Sequence, residues 1–89
     1  MKCLIVKHPF VDQLLAGTKP VEFRTRPTKI RGTIGLIASG ERGRVLGTVE
    51  LYDCTKGDDC WNWHVRNPVR FDAPKQIGQR PGCVIWVNA

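Results

Sequence analysis

The chain of 89 residues lacks any long apolar run, and this absence excludes several classes of protein. A helix that spans a membrane needs about 20 consecutive apolar residues, and the apolar runs here are only as long as a short β-strand. The N-terminal segment from Met1 to Lys7 is too short, and too soon interrupted by charge, to be a signal peptide. We therefore expect a soluble, cytoplasmic protein that does not bind membranes.

Motifs for metals and for phosphate-containing cofactors are also missing. None of the four cysteines forms a Cys-x-x-Cys pair, and Cys3 and Cys83 lie inside apolar runs, so reduced thiols are favoured over zinc sites or disulfides. Asp58 and Asp59 are adjacent, but no third oxygen ligand accompanies them. The glycine-containing turn at residues 40–44 lacks the lysine and the following helix of a phosphate loop. The sequence therefore predicts no metal and no cofactor.

Length and charge limit the remaining choices. A chain of 89 residues can build one hydrophobic core, so residues 1–89 are predicted to form a single domain, which we expect to be monomeric. The formal net charge is +6, with the basic excess between Arg24 and Arg31 and between Arg66 and Arg80. Such a charge favours anionic partners, nucleic acid or nucleotide first, although it also keeps a small protein soluble.

One short helix is predicted near the N-terminus. Apolar residues at positions 10, 11, 14 and 15 form a single helical stripe from Phe10 to Leu15. Pro9 suits the first turn, and Gly17 is suited to end the helix in a left-handed conformation.

The rest of the chain is predicted to be mostly β-structure. Alternating or continuous apolar patterns predict short strands at residues 3–7, 21–26, 33–39, 45–52, 61–71 and 83–87. Polar residues 53–60 and the Pro- and Gly-containing residues 72–82 are predicted to be loops, and Pro68 is expected to end strand pairing. The fold class is thus mostly β with one or two short helices, a small and partly or fully closed barrel with the helix at one end.

The candidate site lies between the helix and the second strand. Strict alternation after Pro20 places Glu22, Arg24 and Arg26 on one strand face. Lys19 lies in the preceding turn, and its long stem can reach over Glu22. On these residues alone, the commoner interpretation is a solvated strand face whose exposed ion pairs contribute little. The alternative is a functional site.

Two tryptophans and two histidines need a separate interpretation. Trp61 and Trp63 alternate with polar residues, and a pair of tryptophans on one strand face can form core or stack on bases. We assign one of them to the core and leave the other open. His64 lies on the opposite, polar face of that strand, and His8 at the strand–helix junction is expected to have a capping or packing role.

Taken in order, several segments resemble the ASCH domain, whose fold is similar to the PUA barrel of RNA-modifying proteins. Gly17, Lys19, Glu22 and Arg24 match its Gly-x-Lys-x-x-Glu-x-Arg signature. The resemblance continues along the chain at residues 31–38, 45–49 and 63–68 and at Gly82 and Trp86. It covers nearly the whole chain and implies a small ASCH-type or PUA-like β-barrel.

The resemblance implies two classes of function. Many members of the family are taken to be RNA-binding modules attached to transcription or translation factors. Some very small bacterial members are amidohydrolases that cleave N4-acetylcytidine and related N4-acylcytosines. Their lysine falls at Lys19, whereas their threonine falls at Glu22, so the chain departs from them there. Their distal glutamate has no clear counterpart here. Glu50 is the only glutamate in the second half of the chain, and His64 is the residue that could take the place of the distal glutamate.

The preferred prediction is an amidohydrolase acting on N4-acylated cytidine, because a small domain that stands alone is expected to act by itself. Glu22 would activate water and Lys19 would stabilise the oxyanion, with His64 as a third catalytic residue. The substrate would be bound by Arg24, Arg26, Ser39, Trp61 and Trp63. Against this, Lys19 and Glu22 would neutralise each other if they formed an ion pair.

Two alternatives remain. The first is a non-catalytic ASCH module that binds RNA. The second is a ribonuclease in which Lys19 acts on a phosphodiester together with His64 or His8. The partner is accordingly a modified cytidine nucleoside or RNA.

Overall fold

The computed structural model describes residues 1–40, 43–77 and 86–88 of the chain. In chain order the elements are β1 (Lys2–Val6), α1 (Phe10–Ala16), β2 (Val21–Arg24), β3 (Gly32–Ala38), β4 (Arg44–Lys56), β5 (Trp61–Gln76) and β6 (Trp86–Asn88). The strands form one six-stranded sheet in the order β2-β5-β4-β3-β1-β6. Within the described residues, α1 is not long enough to span a lipid bilayer.

The sheet curls into a half-barrel, within the partly or fully closed barrel that the sequence predicts. β1 pairs with β3 in parallel, and the other neighbouring strands are antiparallel. Side chains bring the two ends of the sheet together: Arg24 of β2 donates a hydrogen bond to the carbonyl oxygen of Ile5 in β1, and Trp63 of β5 stacks on Trp86 of β6. The prediction of a mostly β, barrel-like fold with one short helix is therefore confirmed.

The core fills the inside of the curled sheet and is covered by α1. Its buried apolar side chains come from β1, α1, β3, β4 and β5, and the largest fully buried ones include Leu4, Leu14, Ile34, Leu36 and Leu51. Trp86 of β6 is partly buried against this core. A second, smaller cluster consists of Cys3, Ile37 and Val45, with Phe71 and Ile77 packed against it. Phe71, in the last part of β5, and Ile77 just beyond it therefore partly cover this second cluster.

The helix and the β3–β4 hairpin are confirmed. The helix begins at Phe10, and Gly17 follows it with φ +81°, the left-handed conformation that glycine adopts without strain. β3 lies between β1 and β4 and is buried from Ile34 to Ala38. The predicted final strand is described from Trp86 onward, and its residues 83–85 lie outside the described residues.

The predicted boundaries of the two longest strands are wrong. β4 continues to Lys56, and β5 continues through Pro68 to Gln76, where the sequence suggested loops. Glu50 pairs with Arg66 and Thr48 with Val69, so one residue of β4 faces two of β5. This bulge, with Asn67 at φ 52°, lets the strand pass a proline that lacks a backbone N–H.

Candidate active site

The end of helix α1 positions Lys19. The backbone N–H groups of Thr18 and Lys19 both donate to the carbonyl oxygen of Gln13, at 3.1 and 3.2 Å. Gly17 donates to Leu14 in the same turn. Because three successive N–H groups bond to the last turn of the helix, the backbone that carries Lys19 is held close to the helix end.

The polar face of β2 points into the barrel. Glu22 lies opposite Trp63, and Arg24 lies opposite Trp61, in the pairing of β2 with β5. Glu22 is only 7% exposed, whereas Phe23 between the two polar residues is 57% exposed. The commoner interpretation of these residues, a solvated strand face, is therefore wrong for Glu22. The polar and apolar faces of this strand are inverted relative to an ordinary barrel strand.

Arg24 is the ion-pair partner of Glu22. Its Nη2 lies 2.8 Å from Glu22 Oε2, and its Nε donates to the same oxygen at 3.1 Å. Nη2 also donates to the carbonyl oxygen of Ile5 at 2.9 Å. A buried carboxylate needs such a partner to offset its lost hydration. Through its hydrogen bond to Ile5, Arg24 also links β2, at one edge of the sheet, to β1 near the other edge.

Lys19 is held by aromatic rings. Its Nζ lies 4.4 Å from the ring centre of Phe23 and 5.3 Å from that of Phe10, both within the range of a cation–π contact. In the described part of the chain no ion pair joins Lys19 to Glu22, and Glu22 pairs with Arg24 instead. The opposing expectation, in which Lys19 and Glu22 neutralise each other as an ion pair, is therefore not met.

These groups share one cavity of about 460 Å³, which we call the Lys19 pocket. It lies between β2, the end of β1 and the start of α1, and it is lined by Ile5, Val6, Lys7, Phe10, Lys19, Glu22, Phe23, Arg24 and Ser39. Of the predicted site residues, the pocket brings together Lys19, Glu22, Arg24 and Ser39. Its volume is within the range of about 300 to 1,000 Å³ typical of small-molecule sites.

The pocket is also lined by Lys7, Phe10 and Phe23, which the sequence did not indicate as site residues. Phe10 belongs to the predicted apolar stripe of the helix, yet it is 46% exposed. Phe23 is an apolar residue on a strand whose other face was expected to be solvated. Because Phe10 and Phe23 lie far apart in the sequence, the sequence alone does not indicate that both rings contact Lys19.

The predicted aromatic substrate contacts lie elsewhere. Trp63 is 4% exposed and stacks on Trp86 with ring centres 5.8 Å apart and planes 12° apart. Its Nε1 donates to the carbonyl oxygen of Arg26 at 2.9 Å, so Trp63 is the core tryptophan of the pair. Trp61 is half-buried against the core and lines a hollow at the turn between β4 and β5. Neither tryptophan lines the Lys19 pocket.

The structure does not bring His64, predicted as a third catalytic residue, together with Lys19 and Glu22. Its neighbours Trp63 and Val65 are buried in the barrel, so His64 points to the other face of β5. Its Nε2 lies 2.7 Å from Thr55 Oγ1, and its ring centre is 6.1 Å from that of Tyr52. His64 does not line the Lys19 pocket.

Other charged pairs lie at the surface. His8 Nδ1 and Asp12 Oδ2 are 2.6 Å apart, and Asp12 also pairs with Arg70 at 3.4 Å. The hydrogen bond from His8, with a smaller effect of Arg70, lowers the pKa of Asp12. These contacts fasten the first turn of α1 to β5 and lie outside the Lys19 pocket.

Metal ligands do not gather in the described ranges. Within residues 1–40, 43–77 and 86–88, no three His, Cys, Asp or Glu side chains are placed to hold a metal ion. The thiols of Cys3, Cys54 and Cys60 are free, and Cys83 lies outside the described residues.

Comparisons with known proteins agree with this architecture. The family model of the ASCH domain matches residues 4–81. The crystal structure of a tyrosine-to-phenylalanine variant of ASCH from Zymomonas mobilis superposes with a TM-score of 0.76 at 17% identity, covering 98% of this chain and 89% of that one. The crystal structure of ASCH from Zymomonas mobilis gives a TM-score of 0.74 at 15% identity, with 98% and 87% covered. Comparison with curated proteins gives no match. The chain belongs to the ASCH domain family.

Proposed function

We propose that this protein is an amidohydrolase that cleaves the N4-acyl amide of N4-acetylcytidine or a related N4-acylcytosine nucleoside. The ASCH family is associated with RNA binding and with hydrolysis. The observation that carries the proposal is the Lys19 pocket, in which a buried carboxylate and an ammonium group line one cavity of about 460 Å³. Amide hydrolysis requires these two kinds of group: a base for water and a cation for the oxyanion.

Glu22 is the proposed base. The hydrogen bond from Arg24 Nε and the ion-pair contact of Arg24 Nη2 both end on Oε2, so Oε1 is the oxygen assigned to the attacking water. Oε1 takes a proton as the water oxygen bonds to the amide carbon. When the C–N bond breaks, the same carboxyl gives that proton to the departing N4. The products are cytidine with a free amino group and a carboxylic acid, and the carboxylate of Glu22 is regenerated.

Lys19 is the proposed oxyanion stabiliser. The carbonyl oxygen of the substrate becomes negative as water adds, and a fixed ammonium group stabilises that charge more than it stabilises the neutral amide. The rings of Phe10 and Phe23 hold Nζ at the pocket. Since they restrict its motion before the substrate arrives, less reorganisation is needed during the reaction.

Arg24 and Ser39 have supporting roles in this proposal. Arg24 orients the Glu22 carboxylate and keeps it paired in the barrel interior. Ser39 lines the same pocket, and its backbone N–H donates to Val6 at 2.8 Å, which fixes its position. The Ser39 hydroxyl is therefore assigned to bind the substrate.

The test is hydrolysis of N4-acetylcytidine, followed by ultraviolet absorbance with the purified protein and three variants. We expect Glu22→Gln to lower kcat by a factor of about 10² to 10⁴, the usual contribution of a general base. Lys19→Ala is expected to lower kcat by a factor of about 10² to 10³. Lys29→Ala removes one positive charge from an exposed position outside the Lys19 pocket, so it should match wild type. Absence of turnover by pure wild type would refute the proposal for this substrate.

A second candidate, an RNA-binding module without catalysis, is favoured by the basic loop after β2. Arg26 and Lys29 in that loop are exposed, and the chain carries a net charge of +6. Such a module would bind oligoribonucleotides with a steep dependence on salt concentration. If Glu22→Gln leaves that binding unchanged and no acylated cytidine is hydrolysed, the binding module is the better description.

A further inference from the structure

A second cavity shares one lining residue, Arg24, with the Lys19 pocket. This cavity, which we call the Arg26 pocket, has a volume of about 350 Å³ and is lined by Arg24, Thr25, Arg26, Pro27, Thr28, Trp63 and Trp86. Arg24 also lines the Lys19 pocket. A molecule in either cavity therefore lies beside Arg24.

The cation of the Arg26 pocket is not neutralised. Arg24 pairs with Glu22 and Arg66 pairs with Glu50. In the part of the chain that the structure describes, the Arg26 guanidinium has no such carboxylate partner, although it is exposed beside the cavity. An unpaired guanidinium beside a cavity is suited to bind a phosphate group, because its donors match the phosphate oxygens.

An aromatic wall stands beside this cation. Trp86 is half-buried and stacks on Trp63. The hydrogen bond from Trp63 Nε1 to the carbonyl oxygen of Arg26 holds the loop backbone against the stacked rings. Proteins that bind single-stranded nucleic acid combine a cation that contacts the phosphate backbone with an aromatic side chain that stacks on a base.

From these observations we propose that the acylated cytidine is recognised within a single-stranded polynucleotide. The modified base occupies the Lys19 pocket, and the neighbouring nucleotide occupies the Arg26 pocket, with its phosphate on Arg26 and its base or ribose against Trp86. The proposal rests on the function proposed above and specifies its substrate. A free nucleoside fills only the Lys19 pocket, whereas an oligonucleotide makes both sets of contacts.

The experiment compares a free N4-acetylcytidine nucleoside with ribo- and deoxyribo-trinucleotides that carry N4-acetylcytidine at the centre. Wild type should show a kcat/KM roughly tenfold or more higher for a trinucleotide, which corresponds to one charge-assisted phosphate contact. Arg26→Ala should abolish most of this advantage, while Arg26→Lys should restore part of it. Lys56→Ala is the matched control, because it removes one positive charge from an exposed position outside the basic loop and outside both pockets. This control variant should have the same ratio of kcat/KM for the trinucleotide to kcat/KM for the nucleoside as wild type.

A binding measurement separates this inference from the catalytic proposal. The fluorescence anisotropy of a labelled trinucleotide with unmodified cytidine reports binding without hydrolysis. Its salt slope should fall by about 0.7 in Arg26→Ala, the value for one phosphate contact on a single strand. If the nucleoside is hydrolysed but trinucleotides are neither cleaved faster nor bound through Arg26, the inference is wrong and the catalytic proposal stands. If trinucleotides bind through Arg26 but nothing is hydrolysed, the catalytic proposal and the assignment of the substrate both fail. A clear preference for the ribo- or deoxyribo-form identifies the type of strand.

Discussion

Replacing Arg24 by methionine tests whether Glu22 is held as a buried carboxylate. Methionine keeps much of the length of the side chain but removes the ion pair to Glu22 at 2.8 Å and the hydrogen bond to Ile5 at 2.9 Å. Removing one partner of a buried ion pair costs about 3 to 5 kcal/mol, because the other charge is left unpaired. Since 21% of the Arg24 side chain and 9% of the Glu22 side chain are exposed, water relieves part of this cost.

The expected loss for Arg24→Met is therefore about 3 kcal/mol at pH 7, the lower end of that range. For a domain of this size, such a loss lowers Tm by roughly 12 to 24 °C. Thermal and urea unfolding, monitored by circular dichroism, provide the assay. The double variant Glu22→Gln/Arg24→Met should be more stable than Arg24→Met alone, because a neutral amide costs less to bury than an unpaired carboxylate.

The matched control is the pair of Arg66 and Glu50, which has the same residue types on the solvated face of the sheet. Arg66 Nη2 lies 3.0 Å from Glu50 Oε2, but the two side chains are 56% and 32% exposed. Arg66→Met should therefore have a small effect, since exposed pairs contribute little. If Arg24→Met costs no more than Arg66→Met, or if adding Glu22→Gln destabilises further, the inverted face of β2 has been misinterpreted.

Three further variants test other parts of the structure. Gly47→Ala should cost about 1 to 3 kcal/mol by urea unfolding, because a Cβ there would lie 2.2 Å from the carbonyl oxygen of Val69; stability equal to wild type would contradict this packing. Burial raises the pKa of the Cys3 thiol above 9.0, so stability should fall as pH rises from about 9 through the folded-state pKa, and Cys3→Ala should flatten this alkaline slope. The hydrogen bond from His8 lowers the pKa of Asp12 below 3.8, so its stabilising effect is present above that pH and is lost on further acidification. Asp12→Asn should remove this acid dependence, and an unchanged acid profile would show that the pair does not stabilise the fold.

Much of the fold could be predicted from local patterns. The helical stripe that begins at Phe10 and the glycine at position 17 define α1, and the apolar residues from Ile34 to Ala38 define a central strand. These signals are strong because each depends on neighbouring residues in the chain. The continuation of β5 past Pro68 could not be predicted in this way, since it depends on a bulge that forms only when β4 lies alongside.

The candidate site was predicted only in part for a related reason. Glu22 and Lys19 were identified, and both line the pocket, but the same pattern suggested Trp63 and His64, which do not. Adjacent residues of a strand point to opposite faces, so Trp63 and His64 cannot both point into the barrel. The sequence shows this alternation but does not show which face the curled sheet encloses.

The inverted polarity of β2 connects the fold to the proposed chemistry. In an ordinary barrel strand Phe23 would be inside, and Glu22 and Arg24 would face water, because burying charge costs free energy. Here Phe23 lines the pocket and contacts Lys19, and the two charged residues pair inside the barrel. Apolar residues at these two positions would stabilise the fold at least equally well, because replacing a buried ion pair with apolar side chains is often neutral or stabilising. The buried pair is therefore better explained by a function of the cavity that Glu22 lines. We expect the double variant Glu22→Leu/Arg24→Leu to be more stable than wild type and to hydrolyse no acylated cytidine. That result would show that the buried pair of β2 lowers the stability of the fold and is required for the proposed reaction.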